Sequence, residues 1–278
     1  MRIIVLTNSQ GNQKALIHKL SKVCDISAVV FSDNIPRRKP KKIASARGFV
    51  NSVGGRFLAP EFRNVWNKAL ATYEDLYSGV PASEILRVDN VNDVRTKEAI
   101  ERHAPDLVVV SGTNLVGGRV ISTAQRTGGI VNLHTGISPY VKGGPNCTNW
   151  CLAKGWFHLI GNTIMWLDKG IDTGNIIATE RTPLAGDESL FEVHWKVMEH
   201  AHDLYVRAVE RIKNRQPVAS VPQAALADGV EFRSVQWNVL EMRRALRNFR
   251  LRYRQYFEDP TTVERMSGSV SLVSLNHG

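Results

Sequence analysis

Short apolar strands alternate with helix-length amphipathic segments, and this rhythm is the strongest constraint on the fold. Residues 2–7 read as a strand, 11–22 as a helix with apolar positions at Ala15, Leu16 and Leu20, and 26–31 as a second strand. Strand, helix and strand in succession predict an α/β fold built on a doubly wound, mostly parallel sheet. Residues 106–111 are apolar at successive positions, as in a strand covered on both faces. Asn92 stands where it can cap a helix running to His103. Further strands are expected at 129–134, about 159–167 and 175–182, with a helix at 145–154. Residues 188–213 form a long helix with Leu190, Val193, Val197, Ala201, Leu204 and Ala208 near one face. Residues 51–86 have no clean period apart from a helix around 62–77, and the Pro36/Pro40 stretch reads as a basic loop.

After Pro217 the composition changes. Residues 221–228 read as a linker, 239–257 as an Arg-rich helix striped by Leu240, Leu246, Phe249, Tyr253 and Phe257, and 267–278 as a polar, mobile tail. The expected division is a catalytic domain over 1–217 and a basic extension over 218–278. Removing the extension is expected to spare donor binding.

No apolar run approaches the ~18 residues of a membrane span. The first six residues are too short for a signal peptide, so a cytoplasmic protein without a membrane partner is expected. Three cysteines, Cys24, Cys147 and Cys151, cannot build a disulfide framework and suit a reducing compartment. The formal net charge of +10 favours anionic partners. It is concentrated at Arg37, Arg38, Lys39, Lys41 and Lys42, and again at Arg233, Arg243, Arg244, Arg247, Arg250, Arg252 and Arg254. A solvated basic face accounts for each cluster as well as a binding patch does.

The chemistry is concentrated in two segments. Asn132-Leu133-His134 ends a predicted strand, and alternate strand residues share a face, so the amide and the imidazole project together. Asp172 lies in the turn Leu167-Asp168-Lys169-Gly170-Ile171-Asp172-Thr173-Gly174 between apolar runs. An amide, an imidazole and a carboxylate at one cleft can run acyl transfer: a donor for the oxyanion, a proton shuttle and a group that orients it. No metal is expected. Cys147 and Cys151 have no second pair, and His194, His200 and His202 have no arranged acidic partner. Trp150, Trp156, Trp166 and Trp195 read as core or pocket wall.

Asn132, His134, Pro139, Gly143, Asp172 and Gly174 together resemble, in order and spacing, the folate-dependent formyltransferase family. That family includes glycinamide ribonucleotide transformylase, methionyl-tRNA formyltransferase and sugar N-formyltransferases. The resemblance covers about residues 1–185 and implies a Rossmann-like core with 10-formyltetrahydrofolate as formyl donor. It implies that Asn132 stabilises the oxyanion and that His134 shuttles a proton or acts as a cation beside the oxyanion. Asp172 would orient an imidazole or a water. The donor's pterin would lie against Gly112, Thr113, Asn114, Leu115 and Val116, and against Leu167, Asp168, Gly170 and Ile171. Leu115 stands where many members carry Arg. Gly136 replaces the usual Ser and Ser138 the usual Leu, while Tyr140 and Gly136 count with the acceptor-binding residues. Asn8, Gly11, Asn12 and Gln13 resemble a substrate-phosphate loop at a helix N-terminus.

The expected activity is formyl transfer to a primary amine of a small anionic substrate, such as a phosphorylated or nucleotide-linked amino sugar. Hydrolysis of the same donor and formylation of methionyl-tRNA are alternatives within the family. Residues 218–278 are short for the C-terminal barrel of the tRNA enzymes, which counts against tRNA. RNA binding through the Arg-rich helix is the non-enzymatic alternative, and it leaves the Asn-His-Asp set unexplained. A homo-oligomer is left open.

Overall fold

Ile3, Ile4, Val5 and Leu6 are all fully buried, so the strand that carries them must be covered on both faces. The computed structural model describes residues 1–33, 59–144, 146–168, 174–216 and 218–275. This first strand, β1 (Arg2–Thr7), leads through α1 (Gly11–Ser21) to β2 (Asp25–Ser32). Beyond it come α2 (Pro60–Leu76), β3 (Ile85–Val88), α3 (Val94–His103), β4 (Leu107–Val110) and α4 (Gly118–Thr127). They are followed by β5 (Ile130–His134), β6 (Val141–Gly143), α5 (Cys147–Lys154), β7 (Gly161–Trp166), β8 (Ile176–Arg181) and α6 (Leu190–Lys213). The main sheet has seven strands in the order β3-β2-β1-β4-β5-β7-β8. Its first five strands are mutually parallel, and β7 and β8 run antiparallel at the far side.

Alternation along β1 divides the core in two. Ile3 and Val5 join Leu16, Ile17 and Leu20 of α1 and Ala201, Leu204 and Ala208 of α6 on one face. Ile4 and Leu6 join Ile100 of α3 and Val120 and Ile121 of α4 on the other. A capping box starts α6: the Ser189 hydroxyl accepts from the Glu192 N–H at 3.2 Å, and the Glu192 carboxylate accepts from the Ser189 N–H at 2.7 Å. Such caps contribute about 1 kcal/mol. Lower on the same helix, the Tyr205 hydroxyl accepts from the Val110 N–H at 3.0 Å and donates to the Val131 carbonyl at 2.8 Å. It thereby bridges the last residue of β4 to the second residue of β5.

Local boundaries differ from expectation in three places. The cap of α3 is Asp93, whose carboxylate accepts from the Arg95 N–H, because Asn92 is occupied with the neighbouring loop. Helix α5 begins at Cys147 under an Asn146 cap. Pro145, where that helix was expected to begin, lies outside the described residues. The Arg-rich helix is interrupted: α7 (Val239–Asn248) passes through a π-helical turn at Phe249–Tyr253 into α8 (Arg254–Phe257), with α9 (Pro260–Gly268) beyond.

The C-terminal segment shares its core with the rest of the chain. Strand β9 (Val230–Phe232) pairs in parallel with β6. Phe232, Ala245, Leu246, Tyr253 and Val270 belong to the same apolar cluster as Ile137, Trp150, Cys151 and Val193. The expected linker is anchored: Val221 exchanges backbone hydrogen bonds with Ile176 at 2.8 and 2.9 Å, and Gln223 donates to the Gly174 carbonyl at 2.9 Å. Residues 267–275 of the expected mobile tail are ordered as well, and residues 276–278 lie outside the described residues. Val270, Val273 and Leu275 are buried, and the Thr179 N–H donates to the Val273 carbonyl at 2.8 Å. Its polar composition hid an alternation of apolar residues against β8.

Candidate active site

Asn132 and His134 are the two half-buried positions of β5, flanking buried Leu133. They therefore emerge on one face at the carboxyl end of the strand. β1 and β4 end beside them, at the point where the strand order reverses, which is where open α/β sheets form crevices. The crevice is a cavity of about 440 Å³. Asn132, His134 and Thr135 form one wall, Gly112 to Val116 a second, and Asn8, Asn12 and Gln13 a third. His134 is the only titratable side chain among the described residues that line it.

His134 is held closely. Its Nε2 lies 3.3 Å from the Val141 carbonyl and 3.3 Å from Cys147 Sγ, and the Cys147 thiol also reaches the Gly143 carbonyl at 3.5 Å. Cys147 is buried, and its position on the first turn of α5 brings it behind the imidazole. This arrangement accounts for Gly136. A Cβ there would lie 2.8 Å from Cys147 Cβ and 2.9 Å from His134 Nε2, so a serine at this position does not fit. Ser138 is fully buried, and its N–H donates to the Thr163 hydroxyl at 2.9 Å. Thr163 in turn donates to the Gly136 carbonyl at 2.6 Å, which ties this loop to β7.

The wall of Gly112, Thr113, Asn114, Leu115 and Val116 is braced from outside. Asn114 accepts from the Val91 N–H at 3.1 Å, Asn92 donates to the Leu115 carbonyl at 2.9 Å, and the Thr113 hydroxyl meets that of Ser32. Gly112 adopts φ +63°, which lets the chain turn there. The bracing occupies these polar side chains and leaves main chain, Leu115 and Val116 to face the cavity, with Leu167 opposite. A surface of main-chain polar groups and aliphatic side chains fits a flat, hydrogen-bonding heterocycle such as a pterin. Asp168 is not part of the described lining. Gly170, Ile171 and Asp172 lie outside the described residues, as does the Arg37–Lys42 cluster.

The presumed phosphate loop is built differently from expectation. Gly11 faces away from the cavity and lets α1 approach α2: a Cβ there would meet the Leu70 carbonyl and the Glu74 nitrogen at 2.7 Å each. The Asp33 carboxylate already accepts from the Ser9 N–H and hydroxyl, at 3.2 and 2.6 Å. Asn8 spends its amide on the Gly112 carbonyl at 2.5 Å and its oxygen on the Gln10 N–H at 2.9 Å. Asn12 and Gln13 remain as buried neutral walls. Tyr140 also points elsewhere, its hydroxyl accepting from the Ser271 N–H at 2.9 Å.

Trp66, Asn146 and Met198 line the cavity without having been singled out in the sequence. Asn146 gave a usable signal as an N-cap residue before an apolar helix. Trp66 gave none, because its helix follows a stretch without a period. A separate groove of about 760 Å³ runs along α7, lined by Leu240, Arg243, Arg244, Arg247 and Arg250, with Glu61 opposite. Arg250 pairs with Glu61 at 2.8 Å and Arg244 with Glu241 at 2.7 Å, whereas Arg243 and Arg247 enter no salt bridge among the described residues. The groove's described lining holds no residue of the Asn132–His134 cavity.

Residues 1–209 match the family model described as formyl transferase. A methionyl-tRNA formyltransferase from Syntrophus aciditrophicus is 30% identical over 132 residues, covering 48% of this chain and 41% of that protein. The chain thus spans less than half the length of this curated relative. Among solved structures, a 4-N formyltransferase from Francisella tularensis superposes with a TM-score of 0.53 at 15% identity, covering 85% of this chain and 77% of the other. A sugar N-formyltransferase from a Shewanella species gives 0.52 at 13% identity, covering 90% and 87%. These two similarities concern the fold.

Proposed function

Because the chain belongs to the formyl transferase family, we propose that it moves a formyl group from 10-formyltetrahydrofolate to a primary amine of a small acceptor, an amino sugar in phosphorylated or nucleotide-linked form. The observation that carries this reading is the side-by-side placement of Asn132 and His134 on a cavity whose described lining holds no other titratable group.

The braced main chain of residues 112–116, with Leu167 opposite, would hold the pterin. The folate supplies an activated formyl group on a nitrogen leaving group. Asn132 donates an N–H to the formyl oxygen as that oxygen gains negative charge, a contribution of about 10²–10³ in rate where such donors have been removed. His134 accepts the proton the attacking amine must lose and returns it to the departing nitrogen, a role worth about 10²–10⁴. Asp172 completes the set by favouring the charged imidazole or orienting a water.

A second reading, a methionyl-tRNA acceptor, draws on the relatives' activity and on Arg243 and Arg247 of the α7 groove, which enter no salt bridge among the described residues. One assay separates the two. Tetrahydrofolate release is followed with amino sugars, their phosphates and nucleotide conjugates, methionyl-tRNA, and no acceptor. Release that depends on an amino-sugar acceptor is expected. Release with methionyl-tRNA alone, or equal formate release without any acceptor, removes the reading.

A further inference from the structure

We propose that a pocket between α2, α5 and α6 binds an uncharged, hydroxylated ring of the acceptor and makes His194 a specificity-determining residue. The pocket holds about 240 Å³ and is lined by Phe62, Trp66, Asn146, Asn149 and His194. Trp66 and Asn146 also line the Asn132–His134 cavity, so the two spaces share a wall and one acceptor can occupy both.

The polar groups here await a ligand. His194 is only 6% exposed, forms no hydrogen bond with any described residue, and faces the pocket it lines. Asn149 also lines the pocket, though its Oδ1 is shut off from it and has no hydrogen-bond partner among the described residues. A ring nitrogen that opens only onto a small, largely enclosed pocket gains most from a ligand hydroxyl placed there. Burial holds the His194 pKa at about 4, so at neutral pH its ring offers one donor and one acceptor. The Asn146 amide, whose oxygen already accepts from the Asn149 N–H at 3.4 Å, still carries N–H donors, and every sugar hydroxyl can both donate and accept. No charged side chain stands among the described lining, which disfavours a phosphate here. Phe62 is fixed edge-on between His194, with centroids 6.4 Å apart, and Trp237 at 5.7 Å. With Trp66 it offers apolar walls to the C–H face of a ring.

This inference rests on the formyl-transfer reading, and its test separates the two. Full-length protein is titrated with D-glucosamine and with ring-less 2-aminoethanol, followed by ligand-observed NMR, while folate binding is measured independently. Wild type should bind glucosamine more tightly than 2-aminoethanol. His194→Phe should weaken glucosamine binding by about tenfold or more, the loss of one or more buried hydrogen bonds. His194→Gln, which keeps a donor and an acceptor, should stay within about threefold of wild type. Folate affinity should be the same throughout. If His194→Phe fails to melt cooperatively, Asn149→Ala serves in its place, with the same expected loss. No preference for the ring in wild type, or a preference that both substitutions leave intact, overturns the proposal. Failure of wild type to bind folate would instead overturn the formyl-transfer reading.

Discussion

Tyr253→Phe is a direct test of whether the C-terminal segment belongs to the core. The Tyr253 hydroxyl donates to Glu188 Oε2 at 2.7 Å, and the Glu188 side chain is 1% exposed. The carboxylate also accepts from Lys196 Nζ at 2.7 Å and from the N–H groups of Ala185 and Gly186 at 2.8 and 2.9 Å. Burial alone would raise the Glu188 pKa; the bonds from Lys196, Ala185, Tyr253 and Gly186 outweigh it and hold it at about 2. The substitution removes one bond to a charged acceptor and keeps the ring packed against Phe157. A hydrogen bond to a charged group is worth about 1.5–3 kcal/mol, and three remaining donors place the loss near the lower end. For a chain of this size that lowers Tm by roughly 3–8 °C. Urea unfolding at pH 7 measures the difference, and repeating it toward pH 3 tests its origin. A carboxylate whose pKa is depressed on folding stabilises the protein above its unfolded value of 4.5, and the contribution fades as pH falls toward about 2. The gap between wild type and Tyr253→Phe should therefore shrink in acid. A gap below about 0.5 kcal/mol at pH 7, or one unchanged by pH, would refute the clamp, since such a bond should exceed that value.

Asn132→Ala, His134→Ala and Asp172→Ala should each lower turnover by about a hundredfold or more with Tm unchanged, and near-normal turnover in any of them removes the mechanism. Deleting residues 218–278 strips Phe232, Leu246 and Tyr253 from a shared core cluster and should leave an insoluble chain; a soluble product with native folate affinity would show the segment to be separable. His202 is fully buried, its ring nitrogens form no hydrogen bond with any described residue, and Nδ1 lies 4.0 Å from Glu199, so His202→Leu should stabilise the protein by about 1–2 kcal/mol at pH 7 in urea unfolding. Its pKa, lowered from 6.5 to about 3 by burial and then by Lys19, means that only the unfolded chain takes up a proton between those values. Wild-type stability should fall through that window, and a variant that keeps the same slope would show another group responsible.

The parallel strands β1, β2, β4 and β5 were legible because each centres on a short buried run of Val, Ile and Leu with no room for a helix; β3 (Ile85–Val88), where only Val88 is buried, was not. The Asn132–His134 pair was legible for a related reason, since a period of two forces the side chains together however the strand is tilted. The extension was misread because its apolar residues are spaced for different neighbours: Val221 pairs with Ile176, Phe232 stacks on Trp150, and Val273 bonds Thr179. No local period reports such pairings. Gly11 looked like a phosphate-loop glycine, but its need is set by α2, some sixty residues on. The His194 pocket was invisible for the same reason, its walls coming from Phe62, Trp66, Asn146, Asn149 and His194 on three helices.

The bridge made by Tyr205 has a consequence for engineering. His194 and Tyr205 are eleven residues apart on α6, about 16 Å along the axis. One lines the pocket beside the crevice, and the other fastens β4 and β5 through Val110 and Val131. A single rigid rod therefore sets both the room of the His194 pocket and the separation of β4 and β5 beneath the crevice. Enlarging the acceptor pocket by displacing α6 would drag the Tyr205 hydroxyl from its seat between Val110 and Val131. Changes at Phe62 or Trp66 avoid this, because among the described residues α2 forms no hydrogen bond to the sheet strands.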